Sequence, residues 1–235
     1  MGVLVHGVIS ADAVIADRDL SDAAQRPIRC VTAGALGAVV SDVPGDHVPP
    51  ARANLLAHLR VLEAAAERTT VLPMRFGVVV PDDATLTTTY LLDREEDLLR
   101  ALDRLRDRVE MRVSDRYVED QVIGLVLSDD RIAAGLRGRS DMESKIQLGE
   151  RITEGIDHRR ILDAEPLVEE LRPLAGDISR GEPKDAMDVL VASFLVSNDA
   201  VGSFEQAVER LRVRIAPVMT IELSGPLPPF SFTED

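Results

Sequence analysis

Short β-branched runs alternate with leucine-periodic stretches through the first half of the chain, and this alternation constrains its fold more than any other feature. Residues 3–10, Val-Leu-Val-His-Gly-Val-Ile-Ser, read as a strand, residues 11–27 as a loop, and residues 28–33 and 35–43 as two strands of a hairpin turned at Gly34. Pro44, Gly45, Pro49 and Pro50 end the hairpin, and from Ala51 to Arg68 the spacing of Leu55, Leu56, Leu59, Leu62 and Ala66 predicts an amphipathic helix. Residues 71–80 return to strand character, with Pro73 and Gly77 pointing to an edge position or a bulge. A leucine-rich helix over 84–108 and a strand over 110–117 follow.

Strands and helices in the order β, ββ, α, β, α, β predict an α+β domain over residues 1–117, ferredoxin-like with a modified strand arrangement. Residues 118–235 predict a second, helix-rich α+β domain. It opens with helices over 118–137 and 141–174, the second capped by Asp141, which form a long, coiled-coil-like pair. A strand over 187–196, a helix over 204–214 and a strand over 218–223 complete it. The chain of 235 residues is long enough for two such cores.

Those cores must be aliphatic, because aromatic residues make up 3% of the chain and tryptophan is absent. The same scarcity, with a net charge of −14, argues against nucleic acid and anionic membrane surfaces as partners. A lone cysteine, Cys30, excludes an internal disulfide and reads as a structural thiol suited to a reducing compartment. The first residues carry no signal-peptide pattern, and no apolar run reaches membrane-spanning length, so the expectation is a soluble, cytoplasmic protein.

No constellation points to catalysis, a cofactor or a metal. The acidic pairs Asp82-Asp83, Glu95-Glu96, Asp129-Asp130 and Glu169-Glu170 read as solvated charge, since acid-base work needs two carboxyls in different environments. His6, His47, His58 and His158 lack ligand spacing, with His6 expected in a strand and the others at the surface. Gly34-Ala-Leu-Gly37 leads into a strand and reads as a turn, without the third glycine of a phosphate loop.

Two segments stand apart. Leu72-Pro73-Met74-Arg75-Phe76-Gly77 lies in the edge-like strand, and Gly225-Pro-Leu-Pro-Pro-Phe-Ser-Phe232 closes the chain as a stiff, extended tail. Alternation in the tail predicts Phe230 and Phe232 on one side, docked on the C-terminal region itself. The two segments, in this order, resemble the gas vesicle accessory proteins of the GvpF/GvpL family, whose members carry Leu-Pro-x-Arg-Phe-Gly and end in Gly-Pro-Trp-Pro-Pro-Tyr-x-Phe. Leu227 and Phe230 stand where Trp and Tyr are usual, so this tail is apolar but lacks the indole donor. The resemblance extends through Leu148-Gly149-Glu150 and the helix at Phe204.

It implies a non-enzymatic minor component or assembly factor of gas vesicles, located at the vesicle and in the cytoplasm. The implied partners are the hydrophobic shell protein GvpA and other gas vesicle accessory proteins. Arg75, Phe76, Phe230 and Phe232 are the candidate contact residues; as purely structural residues they would be an ion-pair partner and core. The alternative is a ferredoxin-like enzyme or small-ligand-binding domain.

Overall fold

The first strand, β1 (Gly2–Ser10), is apolar on nearly every residue and buried along almost its whole length, as a strand paired on both sides and covered must be. The computed structural model describes residues 1–13, 22, 25–128 and 142–233, with backbone only for 142–145. These form two compact units, one of residues 1–110 with the tail from 226, the other of residues 111–225.

In the first unit β2 (Ile28–Ala33) and β3 (Leu36–Val43) make the expected hairpin, with Gly34 at φ +58° in the turn, a conformation that favours glycine. Glu95 accepts from the Ala35 amide at 2.7 Å and ties this turn down. The sheet runs β2-β3-β1-β4, with β4 (Leu72–Pro73) and β5 (Val79–Val80) both pairing antiparallel to β1. The segment 71–80 is therefore one edge strand, bonded to β1 as far as the Met74 amide and again from the Val78 carbonyl, and interrupted by an excursion over 75–77, where Gly77 takes φ +93°. Opposite the excursion, β1 has its own register shift between Val5 and Gly7.

Helix α1 (Arg52–Ala66) packs against β1 at Gly7, where an added Cβ would lie 2.9 Å from Leu62 Cδ2 and 2.8 Å from Val71 Cγ2. Its buried stripe is His58, Val61, Leu62 and Ala65, rotated from the predicted one, so Leu55 and Leu56 face outward at 43% exposure each. The continuous helix expected over 84–108 is broken. A turn at Asp83–Thr85, capped by Asp82, passes into a wide π-type turn over Leu86–Leu91 and a tight one over Leu92–Arg94 before α2 (Glu95–Leu105) begins. The hydroxyls of Thr87 and Thr88 both donate to the Ala84 carbonyl, competing with the backbone amides that would close a regular helix.

The second unit carries a sheet ordered β7-β8-β6-β9. Its strands are β6 (Arg108–Tyr117), β7 (Asp177–Arg180), β8 (Asp188–Ser197) and β9 (Met219–Leu227). β7 was not expected. Its four residues Asp-Ile-Ser-Arg hold one aliphatic side chain, and pairing to β8, not burial, defines it. Helix α3 spans Glu119–Leu127; the rest of the helix predicted to Arg137, the Asp129-Asp130 pair and the Asp141 cap lie outside the described residues. Helix α4 (Met142–Leu171) runs 30 residues, about 45 Å at 1.5 Å per residue, with Pro166 inside it. It ends three residues before Leu174, in the tight turn Arg172–Leu174. Helix α5 (Val201–Ile215) buries Phe204, Ala207, Val208, Leu211 and Ile215, with Phe204 set against Phe194 of β8 at 5.2 Å between ring centroids.

Candidate functional site

The Leu72–Gly77 segment is anchored from beneath by a buried chain of polar groups. His6 Nε2 lies 3.1 Å from Ser41 Oγ, the Nδ1 atoms of His6 and His58 are 2.9 Å apart, and His58 Nε2 is 2.9 Å from the Met74 carbonyl. Burial and the neighbouring His58 push His6 down to about 3, and burial also lowers His58. Both rings are thus neutral at physiological pH, and the tautomers follow. The Met74 carbonyl can only accept, so His58 donates from Nε2 and accepts at Nδ1; His6 donates from Nδ1 and takes the Ser41 proton at Nε2. His58 was expected at the surface and is 4% exposed. Its place at i, i+3, i+4 and i+7 with Val61, Leu62 and Ala65 was the sequence signal that could have found it. Ser41 is fully buried, so this serine-histidine chain offers no accessible nucleophile; what it does is hold Met74, the residue from which the 75–77 excursion leaves the strand.

Arg75 stands exposed on that excursion. Phe76 turns the other way, half-buried against Leu4, Val43 and Val48, with its ring edge-on to His58 at 5.5 Å. The tail is docked, but on the first unit instead of the C-terminal region. β9 carries the extended chain through Leu227, after which Phe230–Phe232 close a tight helical turn, so the two rings do not alternate as in a strand. Phe230 packs on the cluster of Ile9, Ile28, Val39 and Leu62, and Phe232 is buried. Glu110 accepts from the Ser231 amide at 2.8 Å and from its hydroxyl at 2.9 Å, while Arg104 donates to the Phe232 carbonyl at 2.7 Å. These ties span more than a hundred residues of sequence, and no local pattern announces them.

Between the broken edge strand and α2 lies a cleft of about 800 Å³. Leu72, Pro73, Leu98 and Ala101 give it an apolar lining; Arg75, Arg94, Arg100 and Arg104 bring four positive charges, with Asp97 the one acidic residue among those around it. Thr233, next to the docked turn, also lines it. Of the four candidate contact residues, Arg75 therefore reaches the cleft, whereas Phe76 and Phe230 belong to separate apolar clusters and Phe232 is buried behind its carbonyl tie.

Among the described residues of the second unit, one carboxyl is anomalous. Asp115 shares the inward face of β6 with Met111, Val113 and Tyr117 and is fully buried. Neither of its carboxyl oxygens has a hydrogen-bond partner. Burial pushes it up to about 7, and the charge of Asp163 adds to the rise. The Arg116 amide offsets part of this from outside hydrogen-bonding geometry. Tyr117 donates to Asp163 at 2.8 Å, and Arg159 pairs with Asp163 at 3.0 Å, so the Asp163 carboxylate has partners where the Asp115 oxygens have none.

Among the described residues no group of three or more His, Cys, Asp or Glu could hold a metal ion, and no helix is long and apolar enough to cross a membrane. Fold and site together describe a two-sheet α+β protein whose distinctive residues build an edge excursion, a docked tail and a charged cleft. The profile of the gas vesicle synthesis protein GvpL/GvpF family matches residues 2–234, and the chain belongs to that family. It is 37% identical over 215 residues to gas vesicle protein F of a Streptomyces species, covering 89% of each chain. It is 25% identical over 190 residues to gas vesicle protein F of a Nostoc species, covering 78% of each. The fold is that of the crystal structure of GvpF from an Anabaena species, with a TM-score of 0.88 at 22% identity over 100% of this chain and 98% of that one. GvpF from Microcystis aeruginosa gives 0.83 at 18% identity over 99% of each chain. Family membership gives the chain a role connected with gas vesicles.

Proposed function

We propose that this protein is a non-enzymatic minor structural or assembly protein of the gas vesicle, which binds the hydrophobic shell protein GvpA, limits its aggregation and aids vesicle nucleation. The match over residues 2–234 to a family of gas vesicle synthesis proteins carries this reading. A shell subunit that buries its apolar face only on polymerising exposes that face beforehand and aggregates unless a soluble partner covers it. A chain with net charge −14 supplies the solubility of such a complex. Its first unit supplies apolar surface, in Leu55 and Leu56 on α1 and in the cleft beside Arg75. Phe76, Phe230 and Phe232 support that surface from within, and other accessory proteins of the vesicle are further partners.

In this reading the first unit, with its strand order β2-β3-β1-β4, is a modified ferredoxin-like domain, and α3 with α4 is the long helix pair of the second. The protein works in the cytoplasm and at the vesicle. Immobilised full-length protein is expected to capture purified GvpA from solution, and failure to do so at any salt concentration that keeps both soluble refutes the proposal.

A further inference from the structure

We infer that the cleft between the broken edge strand and α2 is the place where the shell protein docks, and that it takes an extended segment of that partner carrying a carboxylate beside aliphatic side chains. The inference rests on the reading of the protein as a shell-protein partner. Charge complementarity carries it. In a chain of net charge −14, four arginines and one aspartate surround a single apolar-lined cleft of about 800 Å³, a local reversal of sign. The volume falls within the roughly 300–1,000 Å³ of ordinary ligand pockets, enough for a few side chains but not a folded domain.

The placement of the arginines fits a linear segment. Asp97, Leu98, Ala101 and Arg104 recur at three- and four-residue spacing along one face of α2, and Arg94 stands immediately before its first residue, so charge stands at both ends of an apolar strip. Leu98 is buried and Ala101 half-buried, giving the strip a floor. Arg104 donates to the Phe232 carbonyl, which holds its head at the rim, and Arg100 pairs with Asp97 at the exposed side. Arg75 comes from the opposite wall, on the excursion that the His6–His58 pair pins. Pro73 on that wall has no N–H, which weakens strand addition as a means of capture and leaves recognition to side-chain charge and apolar fit.

The test uses the full chain and three variants, each presented with intact GvpA and with short overlapping GvpA peptides. Arg94→Gln with Arg100→Gln removes two exposed charges from the cleft. Ala101→Glu places a carboxylate in it without removing any charge pair. Arg151→Gln with Arg210→Gln removes two exposed charges from the second unit as a control. The arginine variant is expected to bind GvpA about tenfold more weakly, as the loss of two partly exposed charge pairs gives, and Ala101→Glu is expected to weaken binding by about the same factor, by setting a like charge against the partner's carboxylate. The control is expected to bind as the parent does. Raising salt from about 50 to about 300 mM weakens the parent severalfold and the arginine variant less, and the peptides retained are those pairing Asp or Glu with aliphatic residues. Equal binding of GvpA by parent and both cleft variants overturns the cleft while leaving the shell-protein reading standing. Retention of peptides without a carboxylate overturns it as well. Absence of GvpA binding by the parent removes both.

Discussion

Asp115 makes the second unit sensitive to pH in a direction opposite to that of carboxylates held by ion pairs or hydrogen bonds. Its carboxyl ionises near 3.8 in the unfolded chain and near 7 in the fold, because burial without hydrogen-bond partners disfavours the charge. The native state thus holds the proton more tightly than the unfolded state does. Stability from this group is fully present below the unfolded value and is lost as pH rises through the folded one. A displacement of about three pH units corresponds to about 4 kcal/mol, of which about 2.5 kcal/mol falls between about pH 5 and about pH 8. Asp115→Asn keeps the shape and removes the titration. Urea unfolding followed by circular dichroism, needed because the chain lacks tryptophan, is expected to show the variant gaining on the parent by about that 2.5 kcal/mol across the interval. Parallel pH profiles for parent and variant would refute the reasoning, since they would mean that Asp115 is ionised in the fold at no cost.

Three further outcomes follow from the first unit. Phe232→Ala is expected to cost about 3 kcal/mol through lost burial and the cavity left behind, and to open the tail to proteases in limited digestion. Gly7→Ala is expected to cost about 1–3 kcal/mol, read as a lowered urea midpoint, because its Cβ would press on Leu62, Val71 and the Leu72 carbonyl. His6 stays neutral down to about 3 while the unfolded side chain charges near 6.5, so its contribution is complete above the unfolded value and is lost as pH falls from there towards 3. Proton resonances of its imidazole are expected not to titrate between about pH 8 and about pH 5.

Local signals carried the strands and most of the helices, and they failed where the cause was distant or chemical. The β1 run, the hairpin at Gly34 and the edge strand marked by Pro73 and Gly77 followed from β-branching and chain breakers, which act within a few residues. The break at 86–94 did not, because leucine spacing there satisfies a helix while threonine hydroxyls divert the Ala84 carbonyl. β7 is set by its neighbour and not by its own composition. Within the candidate site, Leu72–Gly77 was distinctive in sequence, yet its cleft depends on α2 and on Thr233, from two distant parts of the chain. Asp115 was within reach of pattern reasoning, since alternation sets it on one face with Met111, Val113 and Tyr117. What alternation could not supply was the absence of a partner for it.

The central claim is that this chain keeps the shell protein soluble by binding it. The most direct measurement is light scattering of purified GvpA diluted from denaturant into buffer, with the full chain added at increasing ratios. The account predicts that the growth of scattering slows as the ratio rises and that the two proteins then elute together from a sizing column. Scattering that grows at the same rate at every ratio, with the chain eluting alone, would contradict it.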